Sequence, residues 1–363
     1  MDCREADRLL ESYIRGLLYW KDEDYMARLR LLGWSEAEAY ALAAWDWPHG
    51  VGIYCLYKKY LLTKDLSILD YIENWYRTRI SEGLPPKNVN TVAPLIALVS
   101  IYPERPSEIF KAVIWEWAEW IMNEMPRTKE GGIQHQHAEL ENHSELWDDT
   151  LLMTVLFLAK AGRVLSRKDY EEEAIYQVLL HSKYLVDRPS GLWYHAWCFD
   201  RGDNYAEALW GRGNAWVMVF LPEFLETVDP GDGVRRFLES LFLRQAESLR
   251  ETQDESGLWH TLINDPSSYL ETSCSSGFFY GIMKGVRLGI LGKEYLPCCA
   301  RALPALLSQI GPDGKVNGVS YGTNVGLDLD HYRNIEIRQM PYGQGLMMLA
   351  IQEALAAEKE GLI

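Results

Sequence analysis

The sequence predicts an all-α fold, six helical hairpins closed into a toroid, an (α/α)6 barrel. Three observations carry that expectation. Apolar residues recur at helical spacing from one end of the chain to the other, and no run alternates convincingly as a strand would. Short Gly- and Pro-containing breaks separate the periodic stretches. A faint internal echo, Gly191-Leu-Trp-Tyr-His195 and Gly257-Leu-Trp-His260, comes after a long helix and a turn each time and precedes a polar loop and another helix. Hairpins of about 60 residues, two helices of about 12 to 20 plus loops, fit roughly six times into the chain. That count does not by itself close the ring, because an open solenoid would bury its helices equally well. No stretch looks like an interdomain linker, so one catalytic domain over residues 1–363 is expected.

In chain order, the first clear periodic stretch is 51–62. After the break Gly83-Leu-Pro-Pro86 come 91–101 and 107–122, then 151–164 and 170–186, the last closed by Arg188-Pro-Ser-Gly191. The helix expected over 213–226 stops at Asp229-Pro-Gly231, and that over 234–251 at Asp254-Glu-Ser-Gly257. Helices over 273–288 and 343–358 complete the series, on either side of the turn Gly311-Pro-Asp-Gly314.

Composition narrows the function classes. Hydrophobic residues make up 48% and charged residues 24%, which suits a globular protein with an ample core. A formal net charge of −16 argues against nucleic acid and against anionic membrane surfaces, both of which need a basic patch. The 14 Trp and 21 Tyr suit the apolar faces of sugar rings, though a large helical core also absorbs Trp. The opening Met1-Asp-Cys-Arg-Glu-Ala-Asp shows no basic and apolar leader pattern, and no segment approaches 18 unbroken apolar residues, so a cytoplasmic location is expected. The six Cys have no paired spacing and read as reduced thiols. With no HExxH and no CxxC pattern, neither a metal nor another cofactor is expected.

The most informative stretch is Glu145-Leu-Trp-Asp-Asp-Thr-Leu-Leu-Met153. Asp148 and Asp149 fall where a helix begins, with Leu151, Leu152, Val155, Leu156 and Leu158 behind them. One carboxylate can cap the helix. The other, close to Trp147 and partly desolvated, could stay protonated and act as a general acid. A plain N-cap would look the same locally. Further polar and aromatic segments gather at helix starts: Trp45-Asp-Trp-Pro-His-Gly-Val-Gly52, Asn88-Val-Asn-Thr-Val-Ala-Pro94, the run from Gln134 through Asp149, Trp193-Tyr-His-Ala-Trp197, Ser268-Tyr-Leu-Glu-Thr-Ser273 and Gly318-Val-Ser-Tyr-Gly-Thr323. In Trp210-Gly-Arg-Gly-Asn-Ala-Trp216, glycines and flanking Trp could present a shielded Arg212 to a sugar carboxylate through a bidentate fork; an internal Arg–Glu pair is the alternative.

These segments carry a family resemblance. Trp147-Asp-Asp-Thr-Leu-Leu-Met153, Trp210-Gly-Arg-Gly-Asn-Ala-Trp216, Ser268-Tyr-Leu-Glu-Thr-Ser273, Gly322-Thr323 and Tyr342-Gly-Gln-Gly345 resemble, in order, the signature segments of the unsaturated rhamnogalacturonyl hydrolases, glycoside hydrolase family 105. The resemblance spans about Trp45 to Leu349. It implies an (α/α)6 barrel, no metal, and removal of a 4,5-unsaturated uronic acid from the non-reducing end of a short oligosaccharide made by a polysaccharide lyase. It places the catalytic acid on Asp149 and leaves Asp148 as the cap. It implies substrate contacts for His195, for Arg212 with Trp210 and Trp216, and for Trp147 and Tyr342. A site histidine upstream of the acid falls on His135 rather than His137 or His143. Some relatives carry a second Asp near Asn88-Val-Asn90; Asn90 could hydrogen-bond substrate but could not act as a base.

Two other classes compete. A sugar epimerase on the same barrel would need two proton-transferring groups, for which His195 and His260 are candidates, and a non-catalytic sugar-binding protein would leave the acid at Asp149 unexplained.

Overall fold

The computed structural model describes residues 1–140 and 142–363. The first helices are α1 (Cys3–Leu17), α2 (Glu23–Leu31), α3 (Glu36–Trp45), α4 (Trp47–Thr63), α5 (Leu66–Glu82), α6 (Val89–Val92), α7 (Leu95–Ile101) and α8 (Glu108–Asn123). Strand β1 (Glu145–Trp147) and a wide π turn (Leu151–Val155) lead into α9 (Leu156–Leu165) and α10 (Lys168–Leu185). After β2 (Ala196–Cys198) come α11 (Gly211–Thr227), α12 (Asp232–Glu251), α13 (Thr272–Arg287), α14 (Leu296–Ser308), α15 (Leu329–Arg333) and α16 (Pro341–Lys359).

The helices form two concentric layers. In the inner layer α4 packs on α7, α7 on α9, α9 on α11, α11 on α13, α13 on α16, and α16 returns to α4. The ring therefore closes, and the solenoid alternative falls. Each inner helix has an outer partner, α5 on α4, α8 on α7, α10 on α9, α12 on α11, α14 on α13 and α1 on α16. This is the (α/α)6 barrel. The inner helices are apolar nearly all round, as burial on every side requires. Residues 211–225 of α11 and 341–355 of α16 are all buried. Their close approach needs missing side chains: a Cβ on Gly281 would sit 2.5 Å from the Met218 carbonyl oxygen.

Local chemistry sets where helices begin. Ser35 and Glu38 form a capping box for α3, and Asp46 caps α4 by accepting the Trp47 N–H at 2.9 Å. Asn88 caps α6, accepting from Asn90 N at 2.9 Å and Thr91 N at 3.1 Å.

Four features differ from the sequence expectation. The helix over 91–101 is two pieces, because Pro94 has no N–H to continue the ladder. The helix over 151–164 begins with the π turn, a device that recurs where side chains must be re-aimed at a functional site. Helices α1 to α3, α5, α14 and α15 lie outside the stretches picked out by periodicity; α14 tolerates Pro297 because it stands in the first turn. A two-stranded ribbon exists as well: β1 pairs antiparallel with β2, Trp147 opposite Ala196, which a three-residue strand is too short to announce by alternation.

Candidate active site

The inner helices begin at one end of the ring, and there a cavity of about 380 Å³ opens. Its wall takes Trp47 and His49 from the start of α4, Asn90 from α6, Trp147 and Asp149 from the β1 exit, and Met340 beside the start of α16. The ribbon fixes the acid: Asp148 N donates to the His195 carbonyl at 3.0 Å, which extends the β1–β2 pairing by one step and ties the two segments together.

Asp148 and Asp149 behave differently. The Asp148 side chain is fully buried and neither carboxyl oxygen finds a hydrogen-bond partner among the described residues. It packs on the α11 backbone so closely that a Cβ on Gly213 would lie 2.8 Å from Oδ1, 2.9 Å from Cγ and closer still to Oδ2. Burial, and then the charge of Asp149, push its pKa well above the usual carboxylate range, so it holds a proton. Asp149 faces the cavity. Burial pushes it up too, but the contact with His195 outweighs this and holds it below the usual range. The two carboxyls titrate as a coupled pair, in which burial favours the proton on Asp148 and the His195 contact favours charge on Asp149. This corrects two expectations. Asp148 caps nothing, because its oxygens accept no helix N–H, and the desolvated, protonated partner is Asp148, the deeper of the two.

His195 stands behind Asp149, buried, with Nε2 3.3 Å from Asp149 Oδ2. Its Nδ1 lies 2.8 Å from Tyr332 Oη, and Tyr332 Oη accepts the Gly326 N–H at 3.0 Å. The tyrosine proton therefore points at Nδ1, which assigns the imidazole hydrogen to Nε2, toward Asp149. Burial lowers the pKa of His195, so at neutral pH it stands beside Asp149 uncharged, 3.3 Å away, with neither Nε2 nor Oδ2 completing a hydrogen bond among the described residues. His135 lines the cavity, stacks face to face on Trp147 at 4.2 Å between centroids, and places Nδ1 2.9 Å from Thr150 Oγ1. Burial holds it well below its ordinary value. His137 also reaches the wall, edge-on to Trp147, whereas His143 is exposed. Within the run from Gln134 to Asp149, Glu141 lies outside the described residues.

Five predicted contacts, His195 among them, stand one layer back. Arg212 is buried, donating through Nη1 to the Ser320 carbonyl at 2.9 Å and through Nη2 to the Tyr321 carbonyl at 2.7 Å, with Trp210 4.5 Å from its guanidinium. Both ends of the expected fork are thus spent on the backbone that carries Tyr321 to the cavity, and the structure corrects the reading of Arg212 as a substrate-facing anchor. Its partner is a pair of carbonyls and not the Glu of the alternative. Trp216 and Tyr342 are likewise off the wall. They back Trp47, which stacks on Tyr342 at 4.5 Å and meets Trp216 edge-on at 5.9 Å. Trp210 packs on His195 at 4.4 Å. His260 donates through Nδ1 to the Ser268 carbonyl and faces Asp254 at 3.5 Å, off the cavity wall, so His195 and His260 do not form a facing pair there. Seven of the 14 Trp are fully buried core residues, as the composition allowed.

Part of the wall carried no signal in the sequence. Trp20, Asp22, Tyr25 and Arg28 arrive from the α1–α2 loop and α2, and His331 from α15. Asp46 was within a noted polar segment, but its role needed the fold: besides capping α4 it lines the cavity, and burial pushes its pKa up to about 7. Asp148, Asp149 and His195 also bring three possible metal-ligand atoms within 4.8 Å of one another.

Known proteins resemble the chain along almost its whole length. The family model described as Glycosyl Hydrolase Family 88 matches residues 31–357. The Bacillus subtilis protein "Unsaturated rhamnogalacturonyl hydrolase YesR" is 31% identical over 319 residues, covering 87% of this chain and 91% of that protein. Two crystal structures described as a possible member of GH105 family, from Salmonella enterica serovar Paratyphi A and Klebsiella pneumoniae, each share 42% identity at a TM-score of 0.92. The first covers 99% of this chain and 95% of its own, the second 98% and 94%.

Proposed function

Because this chain belongs to Glycosyl Hydrolase Family 88, among the unsaturated rhamnogalacturonyl hydrolases grouped as family 105, we propose that it removes a 4,5-unsaturated uronic acid from lyase-generated pectin fragments by hydrating the C4=C5 bond, with Asp149 as acid and base. The observation that carries the mechanism is the unequal carboxyl pair, one member on the cavity wall and one sealed behind it with a proton.

The unsaturated sugar is a vinyl ether, so a proton delivered to C4 leaves a cation at C5 that the ring oxygen stabilises. Before substrate arrives Asp149 is ionised. A uronate carboxylate entering beside it is a like charge, which raises Asp149 and draws the shared proton from Asp148 onto it. Asp149 then protonates C4, and its carboxylate takes a proton from the water that attacks C5. The hemiketal opens to a 4-deoxy-5-keto-uronate and the aglycone leaves, without attack at the anomeric carbon. Neutral His195, with its hydrogen on Nε2, steadies the Asp149 carboxylate in each charged interval. Trp47 and Trp147 offer aromatic faces to the sugar, and Asn90 offers an amide. A cytoplasmic location belongs to the same proposal, supported by six free cysteines, five of them buried, as suits a reducing compartment. No helix among the described residues is long and apolar enough to cross a membrane.

The test is isotopic. On an unsaturated galacturonyl–rhamnose disaccharide, turnover in D2O should abolish the ultraviolet absorbance and place one deuterium at C4, and labelled water should enter at C5. A chelator should leave the rate unchanged. Label at C1 with the double bond intact would mean paired-carboxylate glycosidic cleavage instead.

A further inference from the structure

We propose that Arg28, held by Glu139 and Tyr321 at the cavity mouth, is a specificity-determining residue that selects an uncharged sugar on the reducing side of the scissile bond. The inference rests on the unsaturated-uronyl reading of the site and extends it to the neighbouring sugar.

Arg28 is the one Lys or Arg side chain on the cavity wall among the described residues. Its Nε donates to Glu139 Oε1 at 2.5 Å and its Nη2 to Tyr321 Oη at 2.9 Å, while Nη1 has no partner among the described residues. Tyr321 Oη in turn donates to Asp22 Oδ2 at 2.5 Å. Position decides which sugar meets it. The Arg28 side chain is 41% exposed against 16% for Asp149, so the arginine sits at the mouth and the acid lies deeper. The uronate carboxylate is borne on C5, one of the reacting atoms, and must lie deep beside Asp149. The bond from C1 then points the aglycone outward, toward Arg28.

Charge decides the class of sugar. One guanidinium faces two carboxylates, Glu139 and Asp22, so the mouth is net negative in a chain already at −16. A sulfated or carboxylated aglycone would be repelled. A free guanidinium edge beside a carboxylate offers a donor and an acceptor side by side, which matches neighbouring sugar hydroxyls, and Trp20 and Tyr25 supply aromatic surface. Trp20, Asp22, Tyr25 and Arg28 precede residue 31, where the family match begins, while Glu139 and Tyr321 lie within it.

The experiment measures kcat/KM of the full-length protein on three unsaturated uronyl substrates: a methyl glycoside, a disaccharide ending in a neutral sugar and one ending in a carboxylated sugar. Arg28→Gln should lower kcat/KM on the neutral disaccharide by roughly tenfold, about the worth of one good charged hydrogen bond, and much less on the methyl glycoside. Glu139→Gln should raise the ratio of carboxylated to neutral turnover by roughly tenfold, since it removes a repelling charge. Equal losses on the methyl glycoside and the disaccharide would reduce Arg28 to a fold-supporting role and overturn the proposal, as would an unchanged charge preference in Glu139→Gln. Absence of turnover on all three substrates by the wild-type protein would instead refute the hydrolase reading, which the methyl glycoside tests alone.

Discussion

Replacing Asp148 by Asn tests whether the proton that Asp149 delivers is stored behind it. The amide keeps the shape of the protonated acid against Gly213, so the fold should survive, but it cannot release a proton. In the wild-type pair, a substrate carboxylate about 5 Å from Asp149 costs about 3 kcal/mol of repulsion at an effective dielectric near 20, a rise of roughly two pKa units. That narrows the gap between the two sites and favours transfer of the stored proton. In Asp148→Asn no stored proton exists, and Asp149, held low by His195, must be protonated from solvent. At pH 7 only a small fraction would be, so kcat should fall on the order of 10² or more, within the usual range for loss of general acid catalysis. The pH profile carries the diagnosis: the variant should recover activity as pH falls, while Asp149→Asn stays inactive at every pH. Stopped assays of ultraviolet absorbance between pH 4 and 8, with circular dichroism as a fold control, would read both. Wild-type kcat at pH 7 in Asp148→Asn, or a loss with no acid recovery, would refute the shared-proton argument.

The same geometry bears on two further variants. Gly213→Ala should lower both Tm and kcat, although alanine in a helix normally gains about 0.5–1 kcal/mol over glycine, because its Cβ would overlap the sealed Asp148 carboxyl at a cost of about 1–3 kcal/mol; a more stable variant with unchanged kcat would show the pair to be tolerant of displacement. Asp46, with its pKa pushed up to about 7 by burial, adds a further negative charge to a wall that already carries Asp22, Glu139 and Asp149 as pH rises through that value, so KM for an anionic substrate should climb above pH 7 in the wild type and stay flatter in Asp46→Asn; parallel KM curves would remove Asp46 from substrate binding.

What the sequence determined by itself is everything that repeats or is local. Helical periodicity is a property of consecutive residues, so the class of fold, most helix positions and the Trp147-Asp-Asp-Thr segment were legible without coordinates. So was the gathering of Asn90, His135, Trp147 and Asp149, through the resemblance of their motifs, and all four reach the cavity wall. What only the tertiary structure decided is which face each side chain presents and what lies opposite. Arg212 sits in a prominent motif, yet its fork is taken by the Ser320 and Tyr321 carbonyls more than a hundred residues away. Asp148 and Asp149 are neighbours in sequence and alike in chemistry; their difference arises because the chain leaves β1 under the start of α11, which seals one carboxyl against Gly213, and turns the other to the cavity and His195. Arg28 and Glu139 are 111 positions apart, Arg28 in no motif and Glu139 only within the polar run from Gln134 to Asp149, so nothing along the chain announced that they meet. Burial and charge pairing are set by packing across the ring, and they decide how far each carboxylate's proton affinity departs from the ordinary value of its residue type.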